Sequence, residues 1–312
     1  MSIAPSTRRN YNSALTTYEW FCNDTGYQTF PVTEQTLILF ATNLASYSSH
    51  QNIKLHMAAI KHFAIIHGFP APFKEFHRLY KLIRGIKRSL GSSHSLPKRL
   101  PITPPLLLII NRNLFNSSKL YQDKLMLWAA ITTAFFGFLR ISEYTSPRKT
   151  TFDPLITLLK QDLAITNMGA WLWIKASKTD PFREGVTVRI AANNTLLCPV
   201  NALRIYLPLH PNPSGPLFVF QNGTFLTRTD INKLLKDMSD GVANISSHSL
   251  RIGAASTAAA MGCPKYLIQG MGRWSSDCFR RYIRISNDTI KNTSRAMAEC
   301  NVPVPIGFDP ST

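Results

Sequence analysis

Residues 246–262 read SSHSLRIGAASTAAAMG, and residues 272–284, a short distance downstream, read GRWSSDCFRRYIR. The first stretch has the alanines and serines of a closely packed helix, and its spacing puts His248 and Arg251 on one face of that helix. A helix can form without either residue. Together with Trp274 and Tyr282 in the second stretch, they are candidates for one functional site.

The charge of the chain indicates a polyanionic partner. Its 312 residues include 35 lysines and arginines against 17 acidic residues, a net charge of +18. Nucleic acid fits this excess better than an anionic membrane does. The longest apolar run, residues 125–139, is shorter than a membrane span, and the N-terminus lacks the apolar stretch of a secretory signal. We therefore expect a nucleic-acid partner and no membrane.

The five cysteines are scattered and follow no metal-ligand spacing: Cys22, Cys198, Cys263, Cys278 and Cys300. An odd number without such spacing is typical of an intracellular, reducing environment. We expect no metal site and no cofactor.

The organisation of the chain indicates two domains, residues 1–97 and 98–312, because its length exceeds that of a usual single core. Prolines, serines and basic residues at 92–101 are typical of a linker. The predicted fold class is mainly α with small β-hairpins, an α+β protein.

Hydrophobic spacing predicts the individual elements. In the first domain we expect helices at residues 7–23, 33–45, 51–69 and 72–91. In the second we expect helices from Pro104, at 121–144, 198–207, 228–238 and 288–299. The runs 170–177 and 185–191 predict a hairpin around KTDPFREG, and Asn222-Gly223 predicts a turn.

Basic residues recur along the last two predicted helices of the first domain. Such a pattern is often only a solvated helix face, but in a chain this basic, contact with phosphates is about equally plausible. The predicted DNA-binding residues are Lys54, Lys61, Lys74, Arg78, Lys81, Arg84, Lys87 and Arg88.

Two further places in the second domain carry residues suited to chemistry. Arg140 ends the long apolar helix, and Glu143 follows one turn later on the same face, a pairing that alone indicates only a core-edge ion pair. Strand alternation puts Lys178 on the same side as Leu172 and Ile174, with Lys175 on the other side. A lysine at such a tip can also simply reach water.

Together these residue types suit attack on a phosphodiester. Two guanidiniums can bind the phosphoryl oxygens, and a lysine can protonate the expelled sugar oxygen. A tyrosine phenol can act as a covalent nucleophile when a neighbouring base or positive charge helps to remove its proton.

The stretches FLRISE, HSLRIGAAS and GRWSSDCFRRYIR, in this order, resemble the motifs of the tyrosine recombinases, the phage-integrase superfamily. The GRW and RRYIR segments look closest to eukaryotic mobile-element recombinases of the DIRS and Crypton kind. The resemblance covers nearly the whole chain. It implies an N-terminal helical core-binding domain and, from about residue 101, a catalytic domain.

The resemblance implies a role for each residue. Arg140 and Arg251 would bind the scissile phosphate, His248 would assist proton transfer, and Trp274 would donate its indole N–H where many members have a second histidine. Lys178 would protonate the leaving 5′ oxygen and Tyr282 would attack, while Glu143 would orient Arg140 or His248. The spacing from Trp274 to Tyr282 is one residue shorter than in bacterial and phage members.

The same resemblance implies metal-free cutting and rejoining of double-stranded DNA through a 3′-phosphotyrosyl link. It further implies a homo-tetramer on two DNA sites, a C-terminal helix that docks on a neighbouring subunit, and residence in the nucleus. A type IB topoisomerase-like or telomere-resolving enzyme and an inactive DNA-binding protein of the same fold are the alternatives. Tyr144 and Tyr266 are rival nucleophiles.

Overall fold

The computed structural model describes residues 3–90, 98–178, 180–212, 214–285 and 287–298. The chain divides into two compact units, Met1–Pro97 and Lys98–Thr312. Most of the predicted linker at 92–101 lies outside the described residues, as does the end of the predicted terminal helix.

The first unit is built from helices. Thr33 and Ser49 cap the second and third helices by accepting hydrogen bonds from Thr36 N and Asn52 N. Apolar side chains of these helices form one core around Tyr18, Leu37, Phe40, Ile53 and Ile60. The helices are α1 (Pro5–Thr25), α2 (Glu34–Ala45), α3 (His50–Ile66) and α4 (His77–Leu90).

A single carboxylate positions α4. Glu34, at the start of α2, accepts hydrogen bonds from the backbone N–H groups of Arg78 and Leu79 at 2.7 and 3.0 Å. These N–H groups lack partners inside the helix, and a negative charge at a helix N-terminus is favourable. Since only Leu79 and Ile86 of α4 are buried, its basic residues face outward.

The second unit contains eight further α-helices among the described residues. They are α5 (Pro104–Asn116), α6 (Tyr121–Phe136), α7 (Ile141–Tyr144), α8 (Pro199–Tyr206), α9 (Arg228–Met238), α10 (Ser247–Ala260), α11 (Lys265–Gly272) and α12 (Asn287–Ala298). Helix α6 is buried from Leu125 to Phe135 and packs against α5, α8 and α10. It forms the centre of the unit's core.

A small antiparallel sheet completes the second unit, with strands β1 (Leu163–Ile165), β2 (Gly169–Ile174) and β3 (Val186–Ala191) in the order β1-β2-β3. Leu172 pairs with Val188 and Ala170 with Ile190, and all four side chains are buried. The predicted hairpin is confirmed, whereas β1 was not predicted because three residues are too few to show alternation. The α+β fold class is confirmed.

The predicted helix at 121–144 is wrong in one respect: it is two helices. Gly137 follows the last residue of α6, and Phe138 adopts a left-handed φ of 49°. Arg140 then has extended backbone angles as the residue before α7. Arg140 therefore does not end the apolar helix, but begins a second short one, and this break exposes the backbone carbonyls of Gly137 and Phe138 to other partners.

Candidate functional site

Small residues allow α10 to lie close to its neighbours. A methyl group at Gly253 would overlap the backbone carbonyl of Ile102, and Ile102 N–H donates to the carbonyl of Ser249 at 3.0 Å. Ser246 precedes the helix as its cap residue, and its N–H donates to Ser249 Oγ at 3.1 Å. This close packing fixes the first turns of α10, which carry His248 and Arg251.

Arg251 is the largest fully buried side chain, with 1% of its surface exposed. Its two terminal nitrogens donate to the carbonyls of Phe138 and Gly272, so the guanidinium joins the α6–α7 break to the end of α11. Burial, followed by the positive charges of Arg140 and Arg273, lowers the pKa of Arg251. An arginine nevertheless stays charged at neutral pH.

Trp274 covers the Arg251 guanidinium, whose carbon lies 4.4 Å from the centroid of the indole ring. This is cation–π geometry, and it is stronger where both groups are shielded from water. The ring of Tyr282 lies 4.8 Å from Trp274, and the Arg251 carbon lies 5.7 Å from the Tyr282 centroid. The indole Nε1 of Trp274 is buried and has no hydrogen-bond partner among the described residues.

His248 also lies beside the tyrosine. The centroids of the His248 and Tyr282 rings are 5.1 Å apart, with the ring planes at 59°. Burial lowers the pKa of His248 to about 4, together with the positive charges of Arg99, Arg251, Arg284 and Arg140. The imidazole is therefore neutral at pH 7 and can accept a proton.

The carboxylate of Glu143 is fully buried and binds two arginines. Its Oε1 accepts from Arg140 at 2.9 Å, and its Oε2 accepts from Arg273 at 2.6 Å. Oε2 also accepts from the backbone N–H of Arg140 at 2.8 Å, which fixes the start of α7. Glu143 thus contacts Arg140, and no hydrogen bond between described residues joins it to His248; its orienting role in catalysis stays a prediction.

Arg273 is a site residue that the sequence reasoning missed. It ends α11 in a left-handed conformation, with φ of 53°, and donates to the carbonyls of Gly137 and Phe138 at 3.0 and 3.3 Å. No pattern in the sequence marked it, because Gly137, Phe138 and Glu143 lie at least 130 residues earlier in the chain.

Ser256 was also missed, and it attaches the tyrosine segment to α10. Its hydroxyl donates to the carbonyl of Tyr282 at 3.1 Å and accepts from the N–H of Arg284 at 2.9 Å. Because α10 also carries His248 and Arg251, this pair of hydrogen bonds holds Tyr282 at a fixed position relative to both.

The structure does not bring Lys178 into contact with this cluster. Strand β2 ends at Ile174, so alternation no longer applies at Lys178, which is exposed in the β2–β3 connection. The placement of Lys178 on a core-facing edge was wrong for this reason, while its catalytic role stays a prediction. Lys175 is engaged elsewhere: it pairs with Asp162 at 2.7 Å and donates to the carbonyl of Pro154.

The two rival tyrosines lie in different surroundings. Tyr144 is buried, burial raises the pKa of its phenol, and its hydroxyl has no partner among the described residues. Tyr266 lies on α11 and is 76% exposed. Neither makes a ring contact with His248 or Trp274 among the described residues.

The basic residues predicted in the first unit form an outward-facing set. Lys61 is half-buried and the other seven are exposed. Lys54 of α3 and Lys87 of α4 both act on His50, where burial and these two charges lower the pKa. The two helices therefore present their positive charges on adjoining surfaces of this unit. The predicted residues are Lys54, Lys61, Lys74, Arg78, Lys81, Arg84, Lys87 and Arg88.

Within the described ranges, no group of three or more histidines, cysteines, aspartates or glutamates is placed to hold a metal ion. No described helix is both long enough and apolar enough to cross a membrane.

Comparison with known proteins finds matches among solved structures only. No family model and no curated sequence match the chain. The Tn1549 transposon integrase in complex with transposon right end DNA superposes with a TM-score of 0.63 and 15% identity, over 95% of each chain. The XerH site-specific recombinase bound to difH substrate gives a TM-score of 0.59 and 15% identity, over 92% of this chain and 78% of that one.

A lambda integrase dimer bound to a COC′ core site also resembles the chain, with a TM-score of 0.58 and 15% identity over 91% of this chain and 90% of that one. These neighbours are tyrosine recombinases and integrases. At such identities the likeness establishes the fold, and the chain has the tyrosine-recombinase fold.

Proposed function

We propose that this chain is a site-specific DNA recombinase that cuts and rejoins double-stranded DNA through a 3′-phosphotyrosyl intermediate. One observation carries the proposal: the ring of Tyr282 lies 5.1 Å from that of His248 and 4.8 Å from that of Trp274, with the buried guanidinium of Arg251 beside it. Packing alone does not require a tyrosine, a neutral histidine and a buried arginine to meet at one place.

In the first step Arg140 and Arg251 bind the non-bridging oxygens of the scissile phosphate, and for this Arg251 must turn its guanidinium away from the carbonyls of Phe138 and Gly272. The indole N–H of Trp274 has no partner among the described residues, but it is buried, so the ring must shift outward before it can donate to the same oxygens. The phenol oxygen of Tyr282 attacks phosphorus, and its proton passes to His248 or to water. The bound phosphate offsets the positive charges around His248, and this raises the basicity of the imidazole as the substrate enters.

Cleavage then breaks the bond between phosphorus and the 5′ oxygen, and Lys178 gives that oxygen its proton. The products are a 3′-phosphotyrosyl link and a free 5′-hydroxyl. Rejoining is the reverse reaction with a 5′-hydroxyl from the same or another strand, so the number of phosphodiester bonds is conserved. Guanidinium and ammonium groups supply the positive charge for the phosphoryl oxygens.

The first unit would hold the DNA through the basic residues of α3, α4 and the preceding turn. Their charges are not paired with carboxylates among the described residues, so they are available to phosphates. Replacing Arg78 and Lys81 with glutamine should lower duplex affinity and reduce its dependence on salt. Arg9→Gln, on the exposed surface of α1, is the control, and equal effects of both changes would contradict this assignment.

Strand exchange would need several subunits. Helix α12 exposes its apolar residues, among them Ile290 and Met297, as expected of a segment that docks on a neighbouring subunit of a tetramer. Deleting the chain after Ser286 should remove higher-order complexes on DNA and leave single-site binding intact. Unchanged assembly would contradict docking.

Residence in the nucleus and kinship with DIRS and Crypton elements rest on the sequence resemblance.

Covalent trapping tests the chemistry. The protein is incubated with nicked duplexes built from DNA flanking its own gene, in the presence of a chelator, and denaturing gels reveal any covalent adduct. We expect an adduct that Tyr282→Phe abolishes. Tyr144→Phe and Tyr266→Phe serve as matched controls and should retain it.

The other results are equally informative. An adduct that persists in Tyr282→Phe and disappears in either control would move the nucleophile to that tyrosine. Relaxation of supercoiled DNA without exchange between sites would indicate a type IB topoisomerase-like or telomere-resolving enzyme. Tight binding without an adduct on any flanking sequence would support an inactive DNA-binding protein of this fold.

A further inference from the structure

A depression of about 270 Å³ lies beside Tyr282 on the surface of the second unit. His248 and Tyr282 line it together with Ile252, and so do three arginines to which the catalytic scheme gives no role. These three, here called the rim arginines, are Arg99, Arg281 and Arg284. Arg140 and Arg251, which are assigned to the scissile phosphate, do not line it.

The backbone around the rim arginines is held in place. Next to Arg99, Leu100 N–H donates to the carbonyl of Asn244 at 3.1 Å, just before α10 begins. The N–H of Arg284 donates to Ser256, and its guanidinium donates to the carbonyl of Arg281 at 2.6 Å. The depression is therefore a formed feature of the fold, built on the same helix as the candidate site.

The positive charge of this set is uncompensated. Among the described residues, no carboxylate lies within ion-pair distance of a rim arginine. The adjacent Arg280 is different, because it pairs with Asp277 at 2.7 Å. Arg99 and Arg284 are also among the positive charges that, after burial, lower the pKa of His248, as expected of groups that line the same depression.

Three guanidiniums around one concave surface repel one another until an anion is bound. Guanidiniums bind phosphate through paired N–H donors, and phosphates recur at a regular spacing along a DNA strand. A strand held at Tyr282 by one phosphate must continue past the surrounding surface, where it carries further phosphates.

We propose that the rim arginines bind a second phosphate of the DNA backbone, adjacent to the phosphate that Tyr282 attacks. This rests on the proposed function in one respect, namely that the substrate at Tyr282 is DNA. The second phosphate fixes the direction of the strand across Tyr282, so that the scissile phosphorus is presented to the phenol oxygen. A free phosphate ion has the same chemistry, and the experiment distinguishes the two sources.

The test uses the full chain carrying Tyr282→Phe, so that binding is measured without cleavage. Duplex affinity is recorded against salt for Arg99→Gln, Arg281→Gln and their combination. Each lost phosphate contact should lower the slope of log affinity against log salt by about 0.9. Arg280→Gln is the matched control, since its guanidinium is already paired, and it should leave the slope unchanged. Thermal unfolding of every variant checks that the fold is intact.

A second arm locates the phosphate. Duplexes with one neutral methylphosphonate at successive positions around the cleavage point should show a position, other than the scissile one, where affinity falls for the parent protein. At that position the Arg99→Gln/Arg281→Gln protein, which retains Arg284, should show a smaller loss of affinity. The proposal would be overturned by an equal loss of affinity in both proteins. It would also be overturned if the rim variants left the slope of log affinity against log salt unchanged.

A third arm uses inorganic pyrophosphate and thermal unfolding. One result would be that pyrophosphate stabilises the parent protein and not the rim variants, while the slope of log duplex affinity against log salt is the same for all of them. That result would assign the depression to a free anion and overturn the DNA assignment. None of the three arms requires the protein to cleave DNA. Failure of covalent trapping and failure of this proposal are therefore separate results.

Discussion

Arg273 forms an ion pair of 2.6 Å with Glu143, a residue 130 positions earlier in the chain. The carboxylate has no exposed surface, and its other oxygen binds Arg140. One buried negative charge thus holds two positive charges, and the end of α11 is joined to the start of α7. The orientation of Arg140, which we propose binds the scissile phosphate, depends on this link.

Glu143→Gln should destabilise the protein by about 3–5 kcal/mol, because removing one partner of a buried ion pair leaves the other charges uncompensated. Urea unfolding measures the change. Asp277→Asn is the control: it breaks the exposed pair with Arg280 and should cost less than about 1 kcal/mol. Equal losses for the two variants would show that the buried carboxylate has no special role.

Gly272→Ala should displace the ring of Trp274 and so disturb the candidate site. A methyl group at this position would overlap the indole ring, which is buried against Arg251 and Tyr282. We expect a loss of about 1–3 kcal/mol from overpacking and slower adduct formation. Gly270→Ala, on the same helix, meets nothing within 4 Å and should have neither effect. Tryptophan fluorescence reports whether the ring has moved.

His248 should make the fold sensitive to mild acid. Its pKa is lowered to about 4, first by burial and then by the surrounding arginines, against about 6.5 in the unfolded chain. Between these values the unfolded chain binds more protons, so stability falls as the pH drops from 6.5 towards 4 and is unaffected by this group above 6.5.

Chemical unfolding at pH 7 and pH 5 measures this effect. The wild type should lose more stability than His248→Asn over that interval. His77→Asn, at an exposed position on α4, is the control and should behave like the wild type. The same pH sensitivity in all three proteins would assign the effect to other groups.

Lys178→Ala should slow cleavage without weakening the fold. The side chain is exposed, so stability should change by less than about 0.5 kcal/mol, whereas loss of a general acid costs about 10²- to 10⁴-fold in rate. A substrate with sulfur in place of the leaving 5′ oxygen needs no proton from the protein, and it should restore the rate. Arg183→Gln, exposed in the same connection, should cleave both substrates normally.

Sequence reasoning predicted the α+β fold. Of the residues it grouped with Tyr282, the structure brings His248, Arg251 and Trp274 to that ring, and it does not bring Lys178 there. Hydrophobic spacing indicated the helices well because most bury one continuous face. It missed the break after α6, since the left-handed Phe138 interrupts an otherwise apolar run without any change in composition.

The other differences also have local causes. Alternation was extended to Lys178, although β2 ends at Ile174, and nothing in the residue types marks that end. Arg273 was passed over because a single arginine between a glycine and a tryptophan shows no pattern. Its importance comes from its hydrogen bonds to Gly137, Phe138 and Glu143, which lie next to Arg273 only in the folded chain.

The left-handed backbone of Arg273 implies a compromise between folding and function. Helices commonly end with glycine in this conformation, and a side chain there costs on the order of 1–3 kcal/mol. Arg273→Gly would relax the backbone but would leave Glu143 with one partner instead of two. The chain thus tolerates local strain to keep a guanidinium at that point. A search for stabilising substitutions that considered the backbone alone would select glycine at this position and, in doing so, would remove the link between α11 and α7.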